Sequence, residues 1–180
     1  MSRIFGPTRQ LGLVVRDFDA TLHNWTQVQG IGPFWYFRDM PVQDFRYRGE
    51  ASEAPVLSIA FGYTGDLQIE IIHQQNDAPS IYRDFIASGR EGLQHISGFT
   101  DRPGYDRIYG EAVGSGLSVL HEGSIGGTRF AYFDSERMPG GTTCEISESD
   151  ADGTRELFDG MRIAAARWDG SDPLRLLGVE

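Results

Sequence analysis

One order of hydrophobic segments occurs twice along the chain, and this repeat limits the folds open to it. Arg9 to Val15 (RQLGLVV) is short, apolar and β-branched at its end, the pattern of a buried strand. Asp17 then precedes Phe18, Leu22, Trp25 and Val28, whose spacing predicts an amphipathic helix with Asp17 as N-cap. Gly30 and Gly32 end it. The aromatic run Pro33 to Phe37 reads as a strand. So do Val56 to Phe61 and Leu67 to Ile72, with a Gly65-Asp66 turn between them. The order then recurs. Gln94 to Phe99 is strand-like, and Tyr105, Ile108, Tyr109, Ala112 and Val113 have helical spacing. Strands are expected at Leu117 to Leu120, Thr128 to Phe133 and Thr142 to Ser147. Two copies are too few for a solenoid array. They predict an α+β fold of two βαβββ modules.

The remaining segments fit around that repeat. A single domain spanning 1–180 is expected, with module one at about 8–76 and module two at about 93–149. The connector, 77–92, holds a short helix marked by Ile81, Phe85 and Ile86 and closed by Gly89. The C-terminal segment, 150–180, begins with a helix from Asp152 to Trp168. Leu157, Phe158, Met161 and Ala164 or Ala165 form its apolar face. The last dozen residues, with Gly170 and Pro173, read as an irregular extension.

Charge and composition exclude several functions. With 39% hydrophobic and 23% charged residues the chain is of the folded globular type. A net charge of −10 repels phosphate backbones, so no nucleic-acid partner is expected. The basic residues are all arginine, which excludes a lysine Schiff base and a P-loop. No apolar run approaches the roughly 18 residues that cross a bilayer, so no membrane partner is expected. Met1 to Thr8 carries no long apolar stretch and no cleavage site, so no secretory leader is expected. Cys144 is the only cysteine, which suits a reducing cytoplasm.

Superposing the two copies by strand order aligns four polar residues. Gln10 lies in the first strand of one copy and His95 in that of the other. Glu70 and Glu145 lie in the two last strands, 60 and 50 positions further on. A pseudo-twofold pairing brings all four to one point. Ile69, Ile71 and Ile72 surround Glu70, and Cys144 and Ile146 flank Glu145. An acid in such a run is costly to bury unpaired. A metal ion, an arginine or a buried proton would each relieve that cost. Singly, each residue has a quieter reading: Gln10 as a strand-edge polar group, His95 as a hydrogen-bonded core histidine. Of the other histidines, His73 points to the opposite strand face from Glu70, at the surface or an interface, and His23 is solvated. The cluster Gly123, Gly126, Gly127 reads as a hairpin or lid and lacks the context of a dinucleotide fingerprint.

The segments RQLGLVV, DLQIEII, GLQHISG and GGTTCEIS together resemble the vicinal-oxygen-chelate (glyoxalase/bleomycin-resistance/dioxygenase) superfamily over Arg9 to Ser147. Within it they look like the branch of glyoxalase I and methylmalonyl-CoA epimerase. The resemblance implies two pseudo-symmetric modules, each a curved mixed sheet with a helix. It implies one divalent ion held by Gln10, Glu70, His95 and Glu145. A Gln, Glu, His, Glu set is that of zinc-type glyoxalase I, so zinc is favoured over nickel, cobalt, manganese or iron. Epimerase-like relatives have His at the first position, and their second acid falls here at Ser58. A homodimer is also implied.

The implied activity is that of a metal-dependent isomerase or lyase working through a metal-stabilised enolate or enediolate of a small-molecule substrate. Glu145 is the expected mobile base, with Glu70 as its symmetry partner. Phe34, Trp35, Tyr36, Phe37, Phe61 and Tyr63 are candidate pocket walls, which suit an apolar or aromatic substrate. Arg38, Arg46 or Arg48 could hold a carboxylate or phosphate. The alternatives are a metal-free small-molecule-sequestering protein and an iron-dependent ring-cleaving dioxygenase; the latter uses two histidines and a glutamate, and one histidine stands at a ligand position here.

Overall fold

The computed structural model describes residues 2–134, 142–150 and 153–178. Its first module runs β1 (Gln10–Val14), α1 (Phe18–His23), β2 (Phe34–Pro41), β5 (Val56–Thr64) and β6 (Leu67–Gln74). The second runs β7 (Gly92–Phe99), α3 (Arg102–Gly114), β8 (Val119–Ile125), β9 (Thr128–Phe133) and β10 (Thr143–Ser147). The connector carries α2 (Ile81–Ala87). Short polar side chains set the helix starts. Asp17, Ser80 and Asp101 accept from Ala20, Arg83 and Gly104 backbone N–H groups, respectively. The first helix continues beyond His23 as a π-helical turn, Asn24–Val28.

With β3 (Gln43–Tyr47), β4 (Glu50–Ala51) and β11 (Leu174–Leu176), the strands among the described residues form one sheet in the order β11-β2-β5-β6-β1-β7-β10-β9-β8-β3-β4. The centre is antiparallel, β1 against β7, and each of these pairs in parallel with its module's last strand, β6 or β10. This is the expected pseudo-twofold arrangement. It puts the four central strands, and every predicted ligand, side by side.

Two additions were absent from the sequence reading. β3 (Gln43–Tyr47) leaves module one and pairs with the edge of module two at β8, and β4 (Glu50–Ala51) pairs with β3 beyond it. Only Val42 separates β2 from β3, so the two flanks of the sheet are drawn together and the sheet rolls into a cup. Near the C-terminus, β11 (Leu174–Leu176) runs parallel to β2, where an irregular extension was expected. The final helix, α4, spans Thr154–Ala165; Asp152, expected to open it, lies outside the described residues.

Three apolar clusters fix the layers. Phe18 and Leu22 of α1 pack on Phe34, Ala60, Ile69 and Ile71, outside module one. Tyr105, Ile108 and Ala112 of α3 pack on Ala131, Phe133 and Ile146, outside module two. Inside the cup, Ile59, Ile72, Phe130 and Tyr132 meet Ile81, Tyr82 and Phe85. β5, β6 and β9 therefore bury both faces, one under a helix and one within the cup. Burial of this kind is worth about 25 cal/mol per Å² of apolar surface.

Candidate metal centre

The register of the central strands assembles the site. Gly12 of β1 lies opposite Glu70 of β6 on one side and His95 of β7 on the other. A Cβ on Gly12 would come within 1.8 Å of His95 Cε1, so the imidazole occupies the space a side chain would take. Gln10, two residues back along β1, faces the same way. Gln10, Glu70, His95 and Glu145 are all buried. His95 Nε2 lies 3.2 Å from Glu70 Oε2 and 3.3 Å from Glu145 Oε2. One ligand-type atom from each of these three residues falls within 4.8 Å of the other two.

None of those three atoms makes a directed hydrogen bond, and neither does Gln10 Oε1. Glu70 Oε2, Glu145 Oε2 and His95 Nε2 converge, and Gln10 Oε1 is buried unpaired on the wall of the same cavity; a buried acceptor costs roughly 1–3 kcal/mol unless a proton on Nε2 or a cation serves it. Their neighbours orient them. Gln10 Nε2 donates to Gln68 Oε1 at 2.7 Å, and Gln68 Nε2 donates to the Tyr63 hydroxyl at 2.7 Å. That relay uses up the Gln10 amide nitrogen and leaves its oxygen free. His95 Nδ1 donates to Gln94 Oε1 at 2.8 Å, which leaves Nε2 as the free ring atom.

The electrostatics call for positive charge. Burial raises the Glu70 carboxyl, and the neighbouring Glu145 adds to the shift. Burial pulls the His95 imidazole down, but Glu145 and Glu70 outweigh it and hold it up at about 9. Among the described residues no arginine lines the adjoining cavity, so that remedy for the buried acids falls away. Arg38 pairs instead with Asp19, Arg48 with Asp84, and Arg46 with the Gly49 carbonyl. The expectation that one of them holds a substrate anion here is therefore corrected. A proton on His95 Nε2 can neutralise the carboxylates, but it does nothing for Gln10 Oε1. A cation with several open positions suits all four, and a nitrogen-and-oxygen donor set fits zinc or a similar divalent ion.

Gln10, Glu70 and Glu145 line one side of a cavity of about 250 Å³. Phe37 and Phe61, two of the six expected wall residues, do line it, beside Met40, Ile59, Ile125 and Phe130. The other four do not. Phe34 is wholly buried on the outer face, close over Gly62, and Tyr36 belongs to the same outer cluster. Trp35 lies under the Arg175 guanidinium at 5.1 Å, and Tyr63 is spent on Gln68. Alternation accounts for Phe34 and Tyr36, which point outward while Trp35 and Phe37 pair with Phe61 and Ile59 on the inner face. The remaining wall is neutral and hydroxylated: Thr128, Ser147, Ser149 and Thr154. Ser58 sits opposite His73, off the cavity, and accepts from Gln75 Nε2 at 2.7 Å. The inner residues of that strand are Ile59 and Phe61, so no second acid stands there.

Sequence reasoning missed two further groups. Leu157, Phe158 and Leu177 complete the cavity from the C-terminal segment. His121 is wholly buried with neither ring nitrogen hydrogen-bonded, caged by Phe45, Tyr82, Phe130 and Tyr132. The amphipathic pattern of α4 signalled its inward face but not what that face would cover.

Comparisons agree with this geometry. The profile of the Glyoxalase/Bleomycin resistance protein/Dioxygenase superfamily matches residues 9–132, which includes Gln10, Glu70 and His95 and stops short of Glu145. No curated protein matches the sequence. Among solved structures, the methylmalonyl-CoA epimerase of Mycobacterium tuberculosis is similar at a TM-score of 0.55 and 12% identity, over 82% of this chain and 91% of that one. A hypothetical protein of Bacillus halodurans C-125 gives 0.54 and 19%, over 78% and 92%. The Streptomyces coelicolor methylmalonyl-CoA epimerase S115T, in complex with 2-nitronate-propionyl-CoA, gives 0.50 and 18%, over 78% and 92%. At these identities the likeness is one of fold. By its profile match, its two pseudo-symmetric modules and their shared cup, the chain belongs to the Glyoxalase/Bleomycin resistance protein/Dioxygenase superfamily.

Proposed function

We propose that this protein is a divalent-metal-dependent isomerase or lyase acting on an oxygen-bearing apolar substrate. Gln10, Glu70, His95 and Glu145 would hold the ion. The carrying observation is the convergence of buried Glu70, His95 and Glu145, with Gln10 Oε1 unpaired on the same cavity and with Gln68 and Gln94 orienting Gln10 and His95. A bound divalent ion would supply Lewis acidity, which lowers the cost of negative charge on a substrate oxygen.

The side chains supply the rest. Glu145 is the proton carrier: it takes a proton from the carbon beside the substrate's oxygen-bearing carbon and returns it to a neighbouring position. Ser147 follows it on the same strand face and lines the cavity, so a displaced Glu145 carboxylate has a hydroxyl to turn to. Glu70 faces Phe61 across its strand pair as Glu145 faces Tyr132 across its own. The apolar walls exclude water from the carbanion-like centre. Because the inner wall of β5 offers Ile59 and Phe61 rather than an acid, two-sided epimerisation is disfavoured against one-base proton transfer.

Deuterium wash-in tests this reading without the natural substrate. Zinc-loaded protein in D₂O should exchange the carbon-bound protons of 2-hydroxy-1-phenylethanone, followed by NMR. Glu145→Gln should retain zinc and lose the exchange by about 10²-fold or more. Full exchange in Glu145→Gln, or none in the zinc-loaded wild type across a panel of α-hydroxy ketones, would sink the assignment.

A further inference from the structure

The C-terminal segment closes the cavity, and it lies beyond the part of the chain that matches the superfamily profile. Three contacts hold it in place. Trp168 packs against Gly32, where a Cβ would come within 2.9 Å of the indole; β11 pairs with β2; and Leu177 N–H donates to the Tyr36 carbonyl at 2.7 Å. With the tail fixed to module one, Phe158 of α4 projects between Phe61 and Phe99, with ring centroids 5.3 and 5.6 Å away. Leu157 and Leu177 flank it at the mouth. Leu157 is 46% exposed although it lines the cavity, so apolar surface there stays in water until something covers it.

The charge around this space is one-sided. Among the described lining residues the only charged groups are Glu70 and Glu145. Opposite them lie rings, aliphatic chains and hydroxyls. A substrate entering far enough to reach the two glutamates sets its remaining bulk against α4, and among the described lining residues a carboxylate or phosphate there finds no cation. We infer that α4 and the end of β11 make this a site for an uncharged, ring-bearing substrate, with Phe158 as its specificity-determining residue. This deepens the proposed function and rests on the substrate meeting the glutamate end of the cavity.

A matched set of probes tests it by titration calorimetry on the full chain. 2-Hydroxy-1-phenylethanone and hydroxyacetone share the α-hydroxy ketone and differ by phenyl against methyl; 4-(hydroxyacetyl)benzoate adds a carboxylate at the far end of the ring. Zinc-loaded wild type should bind the phenyl ketone about tenfold or more tighter than hydroxyacetone, and also tighter than the benzoate. Phe158→Ala should reduce the phenyl preference to under about threefold, with zinc affinity unchanged, since its ring packs on Phe61 and Phe99. An equal affinity for phenyl and methyl ketones, a preference untouched by Phe158→Ala, or benzoate binding as tight as the neutral ketone each overturns the inference. Should the wild type hold no zinc, the metal reading fails on its own, and the same three comparisons on metal-free protein decide the wall. Should Phe158→Ala lose the helix by circular dichroism, Leu157→Ala and Leu177→Ala shorten the same wall from either side and are held to the same criterion.

Discussion

Gly12 and His95 share one volume, and this pair shows how a ligand is placed by what is missing beside it. Gly12→Ala forces the imidazole aside, because its Cβ would meet three ring atoms within 2.3 Å. The expected result is a folded protein with zinc affinity lowered about 100-fold or more, read by chelator competition. Gln94 and Gln68 act through hydrogen bonds rather than through space. Gln94→Leu and Gln68→Leu should each weaken zinc about 10- to 100-fold, and Gln94→Glu, which still accepts from Nδ1, should recover most of the loss. Equal affinity in both leucine variants would show that the ligands need no orienting. His121 is legible only in pH. Burial first, and then the charge of His95, hold its imidazole down at about 3, against an ordinary 6.5. The folded state thus favours neutral His121, so its contribution to stability is present above about pH 6.5 and is lost as pH falls toward 3. His121→Phe, nearly conserving volume in an aromatic cage, should flatten the fall of Tm between pH 6.5 and 4.5, and an unchanged slope would exclude this role. The four candidate ligands were legible in the sequence because equal positions in a repeat carried polar groups within apolar strands. His121 was not, since HEGSI gives no sign of which side chain the aromatic cage will enclose.

Most strands and helices announced themselves through periodicity. β9, Thr128–Phe133, falls where its alternation put it, and the helix of the connector ends just before its expected Gly89. β3 and β4 did not, because QDFRY and EA are short and largely polar, and the strand on which β3 docks, β8, lies more than seventy residues away. The run PFWYF was read correctly as strand, but it lacks polar residues to mark which face turns outward, so half of its aromatics were placed on the wrong side. β11 is exposed and short, with only pairing to β2 to define it. The docking of β3 is testable at Gly123, where a Cβ would meet Val42 Cγ1 at 2.6 Å and the Gln43 carbonyl at 3.0 Å. Gly123→Val should therefore cost about 1–3 kcal/mol in chemical denaturation and expose β3 to proteolysis. Wild-type stability with intact β3 would mean that the hairpin is held by other contacts.

At the scale of the molecule, the fold places two acids, a neutral amide and an imidazole where two halves of one sheet meet, in a chain already carrying a net charge of −10. Without a cation the cup holds repelling carboxylates around a protonated His95, whose imidazole is kept up at about 9 by Glu145 and Glu70 once their effect overcomes burial. A bound divalent ion would replace that proton and add stability by mass action, about 1.4 kcal/mol for each tenfold rise in free ion above its dissociation constant. The repeat alone showed this common point, whereas the substrate wall, built by the C-terminal segment, depended on long-range docking that no local pattern encodes. Metal content by mass spectrometry on purified protein, beside a folded Glu70→Gln/Glu145→Gln variant, bears on the centre most directly. A four-residue metal centre predicts about one divalent ion per chain in the wild type and almost none in the variant. A wild type that holds no ion after incubation with zinc, nickel, cobalt, manganese and iron(II), or a variant that holds as much, would contradict it.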